Sequence, residues 1–349
     1  MSSETVLWLG LALGFAFGAV SQMSGFCLQA ALRGWWGEGD PRRVRTFALA
    51  AGVAIIASQV LDATGQVPLE RSIYVQSTFS VAVVLIGGML FGYGMILANG
   101  CGARALVLLG RGNLRSLVVL LVLGISAQAT LTGLLAPSRV SATERTSTTV
   151  EAPTLPAVLD DLFLGAEVAR WAAVAVTAGV LILFAFANRA FRSSPGQALA
   201  GIAVGLIIAG GWYVTGNIGA DEFDPEQVAS LTFIAPVAAS IQYVMLSTGT
   251  ALSFGVAVIG GVLLGSLVAA IPLRRFRLEG FTNPRAFMRY SAGGALMGIG
   301  GALAVGCSIG QGLTGFSTLS LVSLIAVAGI LIGSFLGIRG PISLRPPTP

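Results

Sequence analysis

Long apolar runs alternate with short, glycine-punctuated polar joints along the whole chain. Runs able to cross about 30 Å of hydrocarbon fall at 5–26, 45–61, 80–99, 117–136, 168–188, 197–214, 251–271, 291–306 and 319–338. The pattern predicts an all-α polytopic membrane protein with about nine transmembrane helices. The runs at 197–214 and 291–306 meet glycine and polar residues where a full span needs to continue, so interrupted helices are expected there. The segment 231–247 is apolar but contains Pro236, which predicts a kinked, re-entrant or interfacial element, or else a tenth span.

The charges between the runs set an orientation. The first run opens on Glu4 rather than on a basic region, so it reads as a span and not as a cleavable signal. With the N-terminus outside, the inner joints hold Arg33, Arg42, Arg43, Arg45, Arg104, Arg111, Arg115, Arg189, Arg192, Arg274, Arg275, Arg277, Arg285, Arg289, Arg339 and Arg345. Only Arg71, Arg139, Arg145 and Arg170 fall outside, where the joint 215–250 carries Asp221, Glu222, Asp224 and Glu226. The excess of inner positive charge places the N-terminus in the periplasm and the tail 341–349 in the cytoplasm.

Composition narrows the chemistry. Of 349 residues 55% are hydrophobic and 10% charged, which excludes a soluble enzyme with a solvated surface. The net charge of +5 is accounted for by topology, so it does not point to nucleic acid. Every basic residue is Arg, with no Lys and no His. Schiff-base chemistry, imidazole catalysis and His-ligated metals are therefore excluded, and no cofactor is expected. The 47 glycines imply close helix contacts and broken helices.

The chain repeats itself. Shifted by 206 residues, Cys101 falls on Cys307, Gly87-Gly88 on Gly293-Gly294, Leu90 on Leu296, and Gly92, Gly94 and Gly100 on Gly298, Gly300 and Gly306. A one-residue gap then lays Asn113-Leu114 on Thr318-Leu319, and a shift of 187 lays Gly14 and Gly18 on Gly201 and Gly205. Residues 1–190 and 191–340 thus read as two copies of one unit. Five spans in the first copy make the second enter from the opposite side. In such an inverted repeat the interrupted helices meet near the midplane, where substrate sites lie. The paired glycines four apart, Gly14/Gly18, Gly88/Gly92, Gly201/Gly205 and Gly294/Gly298, are accounted for by helix packing alone.

Packing does not account for the thiols. The chain's three cysteines stand at glycine-marked helix ends: Gly25-Phe26-Cys27, Gly100-Cys101 and Gly306-Cys307. Their number and spacing argue against a disulfide framework or a redox pair. Gln22 and Gln29 accompany Cys27, Asn99 and Arg104 accompany Cys101, and Ser308 and Gln311 accompany Cys307, with no Asp or Glu beside any of them. Amides, hydroxyls, thiols and freed backbone N–H groups are donors, so the set suits an anion. A thiol in an apolar midplane keeps its proton and offers a weak S–H donor. It also offers a polarizable contact to a sulfur-bearing anion.

At these residues the chain resembles a known family. Asn99-Gly100-Cys101-Gly102-Ala103-Arg104 and the residues to Leu117, Gly306-Cys307-Ser308-Ile309-Gly310-Gln311 and the residues to Ser320, and Ser24-Gly25-Phe26-Cys27 with Arg33 are similar to the signature segments of the YeeE/YedE family. The resemblance implies an hourglass-shaped inverted repeat in the bacterial inner membrane. It further implies thiosulfate uptake through S–H hydrogen bonds from Cys27, Cys101 and Cys307, with Cys101 essential, and a TusA-type sulfur carrier as cytoplasmic partner. Some relatives are tied to selenium metabolism, so another sulfur or selenium compound is an alternative substrate. The rival from another class is a soft-metal cation carrier, disfavoured by the missing His, the missing carboxylates and by Arg104 three residues from Cys101. A membrane scaffold or sulfur-transfer subunit is a further alternative, and an enzyme has no general base in the spans.

Overall fold

In the computed structural model, which describes residues 3–160, 165–220, 226–281 and 283–340, the chain is almost entirely helical. The helices are α1 (Ser3–Ser24), α2 (Leu28–Arg33), α3 (Arg42–Ala63), α4 (Val81–Leu97), α5 (Gly102–Gly110), α6 (Leu114–Leu131), α7 (Ala136–Thr146) and α8 (Leu155–Asp160). They continue with α9 (Ala166–Phe186), α10 (Arg189–Arg192), α11 (Pro195–Tyr213), α12 (Ala235–Met245), α13 (Phe254–Ala270), α14 (Pro284–Leu303) and α15 (Leu321–Ile338). Two short strands, Thr78–Phe79 and Thr148–Thr149, pair antiparallel. Among the described residues seven helical stretches are long and apolar enough to cross a membrane. The other two predicted spans are helices as well. Helix α13 is apolar but has 17 residues, and α14 carries Arg285 and Arg289 at its start.

Boundaries moved where caps decide them. Helix α14 begins seven residues before its apolar run, because Asn283 accepts a hydrogen bond from the Arg285 amide and Pro284 occupies the first turn, both favoured at a helix start. Ser80 caps α4 and Asn113 caps α6 in the same way. Pro236 makes no kink. It sits in the first turn of α12, whose 11 residues are too few to span. The predicted match of Asn113-Leu114 to Thr318-Leu319 also fails: the helix-starting residues are Asn113 and Ser320, a shift of 207. The run at 197–214 is not broken at its glycines, since α11 passes directly into a π-helical turn, Val214–Ile218. Asp221, Glu222, Asp224 and Arg345 lie outside the described residues.

Small residues let the long helices touch backbone to backbone. Helix α1 lies along α13, α3 along α11, α4 along α15 and α14, and α6 along α14. A Cβ on Gly14 would stand 2.2 Å from the Val258 carbonyl oxygen, and one on Gly92 2.2 Å from that of Ile330. Gly261 and Gly265 on α13 and Gly329 and Gly333 on α15 answer from the facing side; they belong to two further glycine pairs that the repeat did not reveal. Dispersion across such contacts is what holds helices together where lipid is as apolar as the side chains.

The arginine-bearing joints gather on one face. The turn before α6 is pinned to the α13–α14 joint by Arg277 N–H to the Arg111 carbonyl (3.0 Å), Leu114 N–H to the Glu279 carbonyl (2.9 Å) and Arg115 Nε to the Gly280 carbonyl (2.7 Å). The opposite face carries the strand pair, α7, α8 and the Asp62–Arg170 ion pair.

Neighbouring glycines separate packing from propensity. Gly261→Ala places a Cβ 2.2 Å from the Leu11 carbonyl oxygen and is expected to cost about 1–3 kcal/mol by overpacking. Gly260, with nothing within 4 Å of a built Cβ, should accept alanine without loss. Thermal unfolding of both variants in detergent checks the contrast.

Candidate functional site

Three helices stop short, and each stop presents a cysteine. Helix α1 ends at Ser24, Gly25 turns the backbone through φ +70°, and Cys27 starts α2. Helix α4 ends at Leu97, and Cys101 starts α5. Helix α14 ends at Leu303, and Cys307 precedes a π-helical turn, Gly310–Gly315. The left-handed residues at the second and third stops are Asn99 (φ 58°) and Val305 (φ 56°), 206 apart, with Gly306 (φ 156°) beside the latter. Gly100 is not left-handed; its missing side chain leaves room for Arg104, whose Cγ would lie 3.3 Å from a Cβ there.

All three thiols are buried in the central core. Cys27 and Cys101 are side-chain neighbours within hydrogen-bonding range, and the Ser308 hydroxyl lies next to the Cys101 thiol. Cys307, one residue before Ser308, faces Thr232 and accepts a hydrogen bond from the Gly310 amide at 3.2 Å. The polar surroundings therefore run from Thr232 through Cys307 and Ser308 to Cys101 and Cys27.

A cavity lies beyond each end of this run, lined at one end by Gly100 and Arg104 and at the other by Thr232 and Gly306. On the arginine-bearing face a cavity of about 420 Å³ is lined by Arg33, Arg43, Arg104, Arg111 and Arg115 against two carboxylates, Glu38 and Glu279. Its floor is the break after α4. There the Asn99 side-chain oxygen accepts from Arg33 at 2.9 Å and from Gln29 at 3.3 Å, tying α2 to the α4–α5 break beneath the Cys27–Cys101 pair. Arg104 lines the same cavity within electrostatic reach of both thiols. From the opposite face a cavity of about 270 Å³ reaches Thr232, Val305 and Gly306, with Arg139 and Gln76 on its wall.

The residues singled out from sequence have different tasks here. Gln311 is fully buried and gives its amide N–H groups to the Ala304 (2.6 Å) and Val305 (3.2 Å) carbonyls, so its donors order the break instead of facing open space. Gln29 ties down Asn99. Two residues absent from the sequence reading stand at the thiols, Tyr74 and Thr232. Tyr74 lies in the joint 64–80, read from sequence as a mere connection, although Val67, Leu69 and Tyr74 are almost fully buried. An apolar joint of that kind was the signal that it turns inward.

Comparison with known proteins agrees with these segments. The chain matches the family described as sulphur transport over residues 23–336. It belongs to the sulphur transport family. This sulphur transport chain is a transporter and not an enzyme, as its YeeE/YedE-like segments implied. It is 26% identical over 342 residues to the thiosulfate transporter TsuA of Spirochaeta thermophila, covering 95% of this chain and 97% of that one. It is 24% identical over 334 residues to the thiosulfate transporter TsuA of Escherichia coli, covering 93% and 91%.

The Asn99 contact is testable on the neighbouring thiols of Cys27 and Cys101. Asn99→Gly keeps the left-handed backbone and removes the side-chain oxygen. Loss of hydrogen bonds to a charged partner should speed modification of Cys27 and Cys101 by a small methanethiosulfonate about tenfold, read by peptide mass mapping. An unchanged rate would show that the contact does not cover the pair.

Proposed function

We propose that this chain carries thiosulfate across the bacterial inner membrane into the cytoplasm, passed between the thiols of Cys307, Cys101 and Cys27. One observation carries the reading: the three buried cysteines lie on a single polar run whose inner end is an arginine-lined cavity. Thiols carry no fixed positive charge and so hold an anion weakly enough to release it, which conduction through successive sites requires. Bringing it inward against a negative-inside potential costs about 2.3 kcal/mol per charge per 100 mV. Arginines past the narrowest point lower the anion's energy where that cost is greatest.

The orientation is part of the proposal. The N-terminus is periplasmic and the arginine-bearing face cytoplasmic, as the positive-inside rule requires. Residues 1–190 and 191–340 are the halves of an inverted repeat shaped as an hourglass. Reciprocal packing supports this: α1 of the first half lies along α13 of the second, and α11 of the second along α3 of the first. The same exchange joins α4 to α15 and α14 to α6. A TusA-type sulfur carrier would collect the product at the arginine cavity. Gly25, Gly100 and Gly306 shape the three stops, and Arg104 and Gln311 act on either side of them.

The three cysteines do not form a metal-sized ligand group, since no cluster of three His, Cys, Asp or Glu side chains is found among the described residues. That favours successive sites over a soft-metal cage. In a strain dependent on imported thiosulfate as sulfur source, the chain should restore growth and Cys101→Ala should abolish it. Normal growth with all three cysteines replaced by alanine would refute passage through the thiols.

A further inference from the structure

The thiols account for only one end of the substrate. Thiosulfate has a soft terminal sulfur and three hard oxygens, and an S–H group recognises the former better than the latter. The structure carries hydroxyl groups suited to the oxygens beside Cys307. Tyr74 is fully buried, stacked edge-on against Trp212, and its hydroxyl makes no well-formed hydrogen bond. Ser308 is fully buried, and its hydroxyl has the Cys101 thiol beside it but no well-formed hydrogen bond. Both lie outside helices, so neither can turn to a carbonyl one helical turn back, as buried helical serines do. A buried hydroxyl without a partner is costly and calls for an explanation.

A missing side chain lets Tyr74 and Thr232 meet beside Cys307. A Cβ on Gly310 would stand 2.5 Å from Thr232 Oγ1 and 3.2 Å from Tyr74 Oη. The Gly310 amide itself points to Cys307 Sγ. The glycine thus lets two hydroxyls close in on its backbone beside a thiol, and Thr232 connects this hydroxyl cluster to the cavity on the opposite face from the arginines. A third hydroxyl, that of Ser308, leads from there to Cys101.

We infer that Tyr74, Thr232 and Ser308 form an oxyanion station at Cys307, their hydroxyls donating to the oxygens of a tetrahedral sulfur oxyanion whose terminal sulfur meets the thiol. The inference rests on the transport reading above and adds the part of the site that selects for oxygens. Uncharged donors suit this place for the same reason as thiols do. They recognise the anion without trapping it, and the passing substrate supplies strong acceptors to two buried hydroxyls that otherwise have only another hydroxyl or a thiol beside them. An anion lacking either the oxygens or the terminal sulfur satisfies only half of the station.

The test uses the full chain in liposomes and measures the KM and Vmax of radiolabelled thiosulfate uptake. Tyr74→Phe, Thr232→Val and Ser308→Ala should each raise KM about tenfold, the effect of one hydrogen bond to a charged group, with Vmax within about twofold of the wild type. Thr232→Ser, which keeps the hydroxyl, should restore the wild-type KM. Gly310→Ala, whose Cβ would push the Thr232 and Tyr74 hydroxyls aside, should abolish saturable uptake. Unchanged KM in Tyr74→Phe and Thr232→Val, or equal damage in Thr232→Ser and Thr232→Val, overturns the station. Should Tyr74→Phe not fold, the two Thr232 variants decide alone. Absence of uptake by the wild-type chain overturns the transport reading itself, whereas wild-type uptake with indifferent hydroxyl variants overturns only this inference.

Discussion

Inside hydrocarbon every backbone N–H and C=O must find a partner within the protein, and a helix that stops there leaves its last carbonyls unpaired. This chain stops three helices in its interior, and each stop is closed by a side chain from elsewhere. Arg275 and Gln197 reach the Gln22 and Ser24 carbonyls at the end of α1. Arg289 reaches the Leu97 carbonyl at the end of α4, at 3.0 Å. Gln311 closes the end of α14. Without these contacts the breaks that present the cysteines would be too costly to keep, and the chain would be a bundle of closed helices with nothing between them to pass.

That requirement explains what the sequence disclosed and what it withheld. Hydropathy located every long helix, because a span is a property of contiguous residues. Glycine and cysteine located the stops, because turning and presenting a thiol are done by the residues at the stop itself. The caps are invisible in the sequence, since Arg289 lies 192 residues from Leu97 and nothing in the sequence ties Gln311 to the Ala304 and Val305 carbonyls it holds. Tyr74 and Thr232 escaped for the same reason: Tyr74 lies in a joint and Thr232 at the edge of the segment 231–247, and both meet Cys307 only through the fold. The glycine pairs of α13 and α15 were hidden in uniformly apolar runs, where no periodicity separates a packed face from a lipid-facing one.

The charge arrangement is asymmetric along the proposed path. Toward the side of Thr232 the groups beside Cys307 are hydroxyls and a thiol, all neutral. Past the Cys27–Cys101 pair the cavity holds five arginines. A guanidinium is always charged and binds oxyanions through two parallel bonds, so arginines in the narrow part would hold the anion fast. Beyond it, in a wide cavity moderated by Glu38 and Glu279, the same residues draw the anion out of the neutral stretch. On the proposed reading orientation and exit use one set of side chains, a second role that the positive-inside count alone does not reveal.

The two stops 206 residues apart share a backbone turn but not its chemistry. Asn99 and Val305 are both left-handed, at φ 58° and 56°, a conformation that asparagine tolerates and that strains a β-branched residue by of order 1–3 kcal/mol. Asn99 uses the turn to aim its side chain at Arg33 and Gln29. Val305 can aim nothing polar, and its carbonyl is held instead by Gln311. The arginine-side stop is therefore fastened by a side chain exposed to the cavity, where a charged substrate can compete for Arg33. The other stop is fastened by a fully buried amide committed to two backbone carbonyls. Of the two ends of the proposed path, the one beneath Cys27 and Cys101 is built to yield to an arriving anion, and the one at Cys307 is built to stay in shape while it binds.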